Sequence, residues 1–560
     1  MPQAFARRPP SGDIPPVDAT PSNTRDQTVG PLGRGLILAG VWIAAVGAAV
    51  AVVTYRAFDL DRFFVPKELA LHIGALVIVV TLRAAGWRAG ASRINIALAA
   101  WLVFSVLSAF SATSGWHAMR ALALSISAAA VFWGASALRF SGRERSVVIA
   151  LAAAVTLAAA SALAQAYGLK FDAFAINRAP GGTLGNRNFV AHVAAMGLPL
   201  LIWLSATARS AARALAGAAA ILMLSAALVL SRTRAAWLAL IIWIVIVAPV
   251  VWTKRDIIVA SLAPRRALVL GAALAAGVVL ALTLPNGLDW KSDSPYLDSV
   301  RGVVNYRDGS GAGRLKQYQS SLRMAVAHPV LGVGPGNWPA VYPEFASRND
   351  PSILDQTGMT ANPWPSSDWI AAIAERGVVA AASLGAFVLL LLASAWRCWR
   401  DEARPTRERL GALAGGSVVL IGAIEGSFDA VTLLALPSVI LMGAAGALVP
   451  QPIDAAARWF SGRAREVSTI LAALIWLAFV TISVRKLEAM RLYTIGTYDS
   501  VREAAALDPG SYRIQLRAAE LTAARGYCRL AFHNAMTAVA LFPHAAAAQV
   551  LVARCASSDK

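Results

Sequence analysis

Long apolar runs alternate with short polar segments along most of this chain. A helix needs about 20 mainly apolar residues to cross the hydrocarbon core of a bilayer. Thirteen runs approach that length, at residues 36–54, 68–83, 94–110, 118–137, 147–167, 189–206, 212–230, 235–252, 267–284, 369–396, 410–424, 431–449 and 468–484. The pattern predicts an all-α integral membrane protein with about 13 transmembrane helices.

The polar stretches divide the chain into five parts. Residues 1–34 are polar and proline-rich, which predicts a disordered tail. Residues 35–284 hold predicted transmembrane helices 1–9, and residues 369–487 hold helices 10–13. Between them, residues 285–368 form the longest polar connection and are predicted to be a large loop. Residues 488–560 lack a further span and are predicted to form a small helical tail.

Basic residues recur in every second connection between the predicted helices. Segments 83–93, 139–145 and 397–409 are examples. In membrane proteins such Lys- and Arg-rich loops face the cytoplasm. The alternation predicts a multi-pass protein of a bacterial inner membrane with a cytoplasmic N-terminus. The large loop and the C-terminus are then periplasmic.

The predicted tail contains two similar turns. Ala-Leu-Asp-Pro at 506–509 and Ala-Leu-Phe-Pro at 540–543 place two prolines 34 residues apart. That spacing is the period of tetratricopeptide repeats, which predicts a TPR-like module. An ordinary helical hairpin is the alternative. Cys528 and Cys555 also lie here, where a disulfide is permitted by the compartment but is not implied by the spacing.

Composition agrees with a membrane protein. The chain is 57% hydrophobic and only 15% charged, against about a quarter charged in soluble proteins. Its net charge of +20 lies in arginine clusters between apolar runs. This distribution argues against a basic face for nucleic acid, so we expect no nucleic-acid partner. Three cysteines argue against a disulfide scaffold or a Cys-based zinc site.

The polar chemistry concentrates at the predicted outer surface. Ionisable residues such as Glu68, His72, Glu425 and Asp429 can all be placed near span ends, which disfavours an ion-coupled transporter. Cations collect instead in the predicted outer connections, at Arg178, Arg187, Arg232, Arg234, Arg301, Arg307 and Arg314. Arginine matches phosphate oxygens bidentately, so this set suits a lipid pyrophosphate at that depth.

Four stretches within residues 35–450 resemble the O-antigen ligase/polymerase family. They are GTLGNRNF at 182–189, SRTRAAW at 231–237, the pair Gly313-Arg314 with HPVLGVGPGN at 328–337, and SSDWIAAIAERG at 366–377. Each is weak alone, but their order and spacing fit the family. The glycine-rich run 332–336 also predicts a shaped turn that closes the loop over a membrane cavity.

The resemblance implies the chemistry. Family members take a glycan from an undecaprenyl-pyrophosphate carrier and transfer it to an acceptor hydroxyl, with no nucleotide sugar, metal or other cofactor. On that mechanism Arg234 and Arg314 would stabilise the leaving pyrophosphate. The further candidates for binding pyrophosphate or glycan are Arg187, Arg232, Asn186, His328 and Asn337. Asn186 also predicts a helix cap, and a histidine before proline is more often structural.

One position departs from the family pattern. Ser366 stands where the family usually has a histidine, and a serine of ordinary pKa cannot act as a base near pH 7. Asp368, Glu344 and Asp355 are carboxylates in the same loop that could take that role. The departure makes a polymerase the better fit than a strict ligase.

Other functions stay open. A ligase could deliver the glycan to lipid A-core or to protein, and a transporter or flippase could move the same lipid-linked sugars. In a catalytically inactive scaffold, the tail would be the working part. The expected partners are the lipid-linked glycan, membrane lipid and, through the tail, other polysaccharide-assembly proteins.

Overall fold

The computed structural model describes residues 29–55, 58, 61–176, 178–256, 264–290, 292–302, 309–347, 349–354, 357–451 and 462–556. Residues 1–28 of the predicted tail, Arg307 and Asp355 lie outside the described residues. Within this part of the chain nearly all regular structure is helical. The prediction of an all-α protein is confirmed at that level.

Thirteen helices follow the thirteen predicted spans. They are α1 (Pro31–Val50), α2 (Asp61–Ala84), α3 (Arg93–Ser108), α4 (Gly115–Phe140), α5 (Glu144–Ala166), α6 (Arg187–Ala206), α7 (Ala211–Ser231), α8 (Arg234–Trp252), α9 (Pro264–Thr283), α13 (Asp368–Arg400), α14 (Thr406–Glu425), α15 (Ala435–Leu448) and α16 (Arg463–Ile495). The large loop between α9 and α13 holds α10 (Pro295–Arg301), α11 (Gly309–Ala327), α12 (Trp338–Phe345) and a hairpin of β1 (Ile353–Leu354) and β2 (Met359–Thr360).

Eleven helices in the described part are long and apolar enough to cross a membrane. The two that fall short are α14 and α15. Helix α14 carries charged residues at both ends, and α15 has only 14 residues, although all of them are buried. A bilayer needs about 20 apolar residues per helix, so crossings by α14 and α15 stay predictions.

Small residues let the first helices pack closely. A Cβ added at Gly40 of α1 would lie 2.7 Å from the Gly74 carbonyl oxygen of α2. A Cβ at Gly74 would lie 2.4 Å from the Gly40 oxygen. Glycines that face each other in this way allow two helix backbones to approach, which is how helices associate in a bilayer. The alanine-rich spans therefore form a tight bundle.

The end of the bundle that carries α10–α12 is called the loop end here. It also receives the tail, which contains α17 (Tyr498–Leu507), α18 (Tyr512–Ala523), α19 (Cys528–Leu541) and α20 (Ala546–Ala556). Apolar residues of α17 and α18 pack with Met490 of α16 and with Phe58 and Val65 near the start of α2. The tail is thus helical and docked on the membrane bundle, while its likeness to TPR repeats stays a prediction.

Candidate functional site

Several segments far apart in sequence meet at the loop end. They are the start of α6, the turn between α7 and α8, helix α11, the start of α13 and the connection 426–434 between α14 and α15. All four motifs singled out in the sequence lie on or beside these segments.

A histidine and two carboxylates form the centre. His192 of α6 is fully buried, with Nδ1 3.2 Å from Glu425 Oε1 and Nε2 3.3 Å from Asp429 Oδ2. These are ion-pair contacts off the axis of a hydrogen bond, since neither ring nitrogen has a hydrogen-bond partner. The imidazole and the two carboxylates are so close and so well shielded from water that they must share a charge or a proton. His192 therefore bridges the end of α14 and the connection that follows it.

Asp429 joins this centre to the sequence motifs. Its Oδ2 accepts a 2.9 Å hydrogen bond from Asn188 Nδ2 and lies 3.9 Å from Arg314 Nη2 of α11. Asn188 in turn accepts from Thr233 Oγ1 at 3.3 Å. We call His192, Glu425, Asp429, Asn188 and Arg314 the polar network. It connects the first three motifs through one aspartate.

Asp429 carries the negative charge of the polar network. Burial alone would raise its pKa, but the contact with His192 and the charge of Arg314 lower the pKa of Asp429 to about 2. Asp429 is therefore ionised at neutral pH. An ionised Asp429 can hold Arg314 in position, whereas it is a weak proton acceptor.

Three other predicted arginines lie at the α6 start and the α7–α8 turn. Arg187 and Arg232 each place the guanidinium over the ring of Trp290, at 5.4 and 4.6 Å from its centroid. Arg232 Nε also donates to Ser299 Oγ at 2.9 Å, and Arg234 donates to the Gly302 carbonyl oxygen. These contacts anchor the cations on the loop segment that leads to α11, beside the polar network.

Asp368 is occupied by backbone groups. It begins α13, where its carboxylate accepts hydrogen bonds from Val431 N at 3.0 Å and Thr432 N at 2.8 Å. The backbone N–H of Asp368 donates to the Gly426 oxygen at 2.7 Å. The geometry favours a role in fixing the 426–434 connection, and with it Asp429. A direct catalytic role for Asp368 stays a prediction.

The other predicted candidates lie apart from the polar network. Glu344 of α12 is half-exposed and lies 3.2 Å from His544 of the tail. His328 is exposed at the end of α11, with its ring 6.4 Å from that of Phe345. Both are surface contacts in the large loop, and the structure does not bring either side chain to Arg314.

Two of the predicted asparagines form hydrogen bonds with backbone groups. Asn186 caps α6, as predicted, by accepting from Asn188 N at 3.0 Å. Asn337 is fully buried, where its Oδ1 accepts from Ser114 N at 2.7 Å and its Nδ2 donates to the oxygens of Ser114 and Pro335. With both amide atoms engaged, Asn337 fits a structural role better than glycan binding.

The glycine-rich turn docks on a break in α13. Gly377 has φ +79° and ψ 172°, a conformation open mainly to glycine, which interrupts the helix. The freed carbonyl oxygens of Ala374 and Glu375 accept from Val333 N at 3.1 Å and Gly334 N at 2.8 Å. The Glu375 carboxylate accepts from Gly336 N at 2.9 Å. The third and fourth motifs therefore form one joint between the large loop and the bundle.

Ser366 lies close to the connection that carries Asp429. Its carbonyl oxygen accepts from Tyr318 Oη at 2.6 Å, and the same hydroxyl lies 3.1 Å from the Ser427 oxygen. Tyr318 belongs to α11, one turn after Arg314. The position at which the family usually has histidine is thus tied to the segment that carries Asp429.

A large cavity adjoins the site. It has a volume of about 810 Å³ and lies among α2, α4, the start of α6, residues 357–364 and the tail. Phe189, next to Asn188, forms part of its wall. The glycine-rich turn contributes Gly336 to the lining of this cavity.

Sequence reasoning missed part of the polar network. His192 was not a candidate, because a single histidine five residues into an apolar helix has no local signal. Glu425 and Asp429 were noted only as ionisable residues near a span end. The sequence signal for Asp429 is an acidic residue in the short connection after α14, at the predicted outer surface.

Comparison with known families agrees with the second, third and fourth motifs. Residues 218–385 match the family model described as O-antigen ligase. The matched range includes Arg232, Arg234 and Arg314, whereas segment 182–189, His192, Glu425 and Asp429 lie outside it. No curated protein matches the chain.

Proposed function

Residues 218–385 match the O-antigen ligase family model, and from this match we propose that the chain is a membrane glycosyltransferase acting on lipid-linked glycan at the periplasmic face. An acceptor hydroxyl oxygen bonds to the anomeric carbon, and the bond from that carbon to the carrier pyrophosphate breaks. The hydroxyl proton is released and the carrier leaves as undecaprenyl pyrophosphate. With a second glycan as acceptor, the reaction is polymerisation.

The observation that carries the proposal is the setting of Arg314. Its side chain is 27% exposed, while its partner Asp429 is anchored by His192 and Asn188. The guanidinium is therefore positioned by a buried anion and still accessible to a ligand. A fixed cation at the point where negative charge develops stabilises a transition state without reorganising.

Arg187, Arg232 and Arg234 support this assignment. They lie on segments that adjoin the polar network, and two of them share the Trp290 ring. A pyrophosphate group carries several oxygens, so more than one guanidinium can bind it. We propose that Arg314 contacts the leaving oxygen and that the other arginines hold the carrier head group.

The reaction also needs a group that accepts the proton of the acceptor hydroxyl. Asp429 is ionised but is a weak base, so we assign it the positioning of Arg314. Asp368, beside the polar network, remains a candidate proton acceptor, and so does Glu344, although its side chain lies apart from Arg314. Glu344 is the more accessible of the two, since the Asp368 carboxylate accepts two backbone hydrogen bonds.

The test is glycan transfer in proteoliposomes. Purified protein receives undecaprenyl-pyrophosphate oligosaccharide, with a chelator and without nucleotide. We expect the wild type to extend the lipid-linked chains. Arg314→Ala should lower the rate about 10²–10³-fold, the usual effect of removing one oriented stabilising group. Arg323→Ala is the matched control, because Arg323 lies later on α11, exposed and bonded only to Ser320 among the described residues.

Other products identify other functions. Transfer that requires added lipid A-core or acceptor protein would indicate a ligase. Movement of labelled lipid between leaflets without any new glycosidic bond would overturn the enzyme and indicate a transporter. Equal rates for Arg314→Ala and Arg323→Ala would refute the assigned role of Arg314.

A further inference from the structure

The 810 Å³ cavity is a second polar site that the proposed chemistry does not use. Pockets for small ligands usually measure about 300–1,000 Å³, so a short oligosaccharide fits this one. Its described lining does not include Arg314, Asp429 or His192. The cavity is therefore a volume separate from the polar network, and Phe189 of its lining directly follows Asn188 of the network in the sequence.

The cavity is positively charged. Among its described lining residues, seven are basic and four are acidic. Arg120 is neutralised, with contacts of 2.9 Å to Glu68 and 3.0 Å to Asp61. In the described part of the chain, Lys486 and Arg178 have no hydrogen bond from their side chains and no close ion pair, although Lys486 acts electrostatically on Asp61. Cations that remain unpaired in a cleft attract anionic ligands.

The tail supplies one wall of the cavity. Tyr512 and Arg513 line it from α18, and Phe542 lines it from the end of α19. The Phe542 ring lies 5.1 Å from that of His117 in α4 and 5.5 Å from that of Tyr512. The ligand space is therefore enclosed by the tail and the bundle together.

Aromatic rings form another part of the lining. Trp364 lies 5.2 Å from Phe64 and 6.3 Å from Phe189, measured between ring centroids. Flat aromatic faces can pack against the C–H faces of sugar rings, since both surfaces are apolar. Together with unpaired cations, they suit a sugar chain that carries negative groups.

We infer that this cavity binds a segment of glycan bearing carboxylate groups, and that the tail is part of the substrate site. The inference rests on the proposed function and extends it by naming the substrate class. Lys486 and Arg178 lie on separate elements and both line the cavity, so both can bind charges on one glycan segment. The proposed pyrophosphate site at Arg314 lies outside the described lining of this cavity.

Tryptophan fluorescence of the full-length protein in nanodiscs tests this inference, because Trp364 lies in the cavity. Trigalacturonate is the acidic probe and maltotriose the neutral one. We expect trigalacturonate to bind at least tenfold more tightly than maltotriose, with an affinity that falls as salt rises. Lys486→Gln should weaken its binding about tenfold. Arg517→Gln is the control, since Arg517 is exposed on α18 and pairs with Glu520.

Three results would overturn the inference. The first is that trigalacturonate does not bind, and the second is that both probes bind equally. The third is that the Lys486→Gln variant, with the melting temperature of the wild type, binds trigalacturonate with unchanged affinity. Displacement of trigalacturonate by sugar-free undecaprenyl pyrophosphate would assign the anion to the carrier and also refute it. If the protein transfers a neutral lipid-linked glycan but does not bind trigalacturonate, this inference is refuted and the proposed function stands. Binding without any transfer refutes the proposed function.

Discussion

At the scale of single residues, function depends on partners that the local sequence does not show. Arg314 was predicted from its place in the loop motif, but its ionic partner is Asp429, 115 positions later in the numbering and 3.9 Å away. Asp429 is in turn held by Asn188 and His192 of α6. The arginine is thus the accessible end of a buried network of charges.

The first prediction concerns that network. His192→Ala removes the group between Glu425 and Asp429 and leaves two buried carboxylates without their shared partner. Breaking a buried ion pair in this way costs about 3–5 kcal/mol of unfolding free energy. We expect a clear drop in the midpoint of thermal unfolding in detergent, together with weaker glycan transfer.

His533→Ala is its control. His533 is exposed on α19, and exposed substitutions usually change stability by less than about 0.5 kcal/mol. If both variants melted at the same temperature, the contacts of His192 would contribute no net stability. The polar network would then be maintained by Asn188 and Arg314 alone.

At the scale of elements, the break in α13 determines how the large loop meets the bundle. A continuous helix would satisfy the carbonyl groups of Ala374 and Glu375 within itself. Because Gly377 interrupts α13, those carbonyls bind the glycine-rich turn instead. The turn brings Gly336 to the cavity. It also fixes the C-terminal end of α11, the helix on which Arg314 lies.

A glycine substitution tests this joint. Gly377→Ala would place a Cβ 2.0 Å from the Val330 oxygen, in a backbone conformation that alanine avoids. We expect a loss of at least about 2 kcal/mol in stability, from strain and overpacking. Thermal unfolding followed by fluorescence measures it.

Gly385→Ala is the matched control on the same helix. A Cβ at Gly385 would have no neighbour within 4 Å, and Gly385 lies in regular helix. Alanine there should leave the unfolding free energy unchanged or raise it by up to about 1 kcal/mol. A Gly377→Ala protein as stable as Gly385→Ala would mean that the joint can rearrange without cost.

At the scale of the whole molecule, the large loop and the tail cover the same end of the bundle. Glu344 contacts His544, and the Ala546 backbone N–H donates to the Thr357 oxygen. This shared end agrees with the predicted sidedness, in which both segments are periplasmic. The orientation itself follows from the distribution of arginine and stays a prediction.

Cysteine labelling tests that orientation. In a background with Cys398, Cys528 and Cys555 replaced by serine, Ala524→Cys exposes a thiol on the tail and Ala403→Cys one between α13 and α14. A membrane-impermeant maleimide applied to spheroplasts should label the first at once, and the second only after permeabilisation. The reverse pattern would place the proposed site in the cytoplasm.

The sequence by itself determined the membrane class and the approximate helix boundaries, and its residues 218–385 match the O-antigen ligase family model. Long apolar runs have one stable solution in a bilayer, because a helix satisfies its own backbone hydrogen bonds. The motif at 231–237 and Arg314 are local in sequence and could be recognised directly. The cap at Asn186 is equally local and was predicted correctly.

Only the tertiary structure decided which polar residues meet. His192, Glu425 and Asp429 have ordinary neighbours in the sequence, and their contacts depend on how α6 and α14 pack. The same holds for the cavity, whose wall is completed by a tail that the sequence placed in a separate module. Apolar periodicity specifies that helices pack into a bundle but not which pairs touch, so the site was decided by packing.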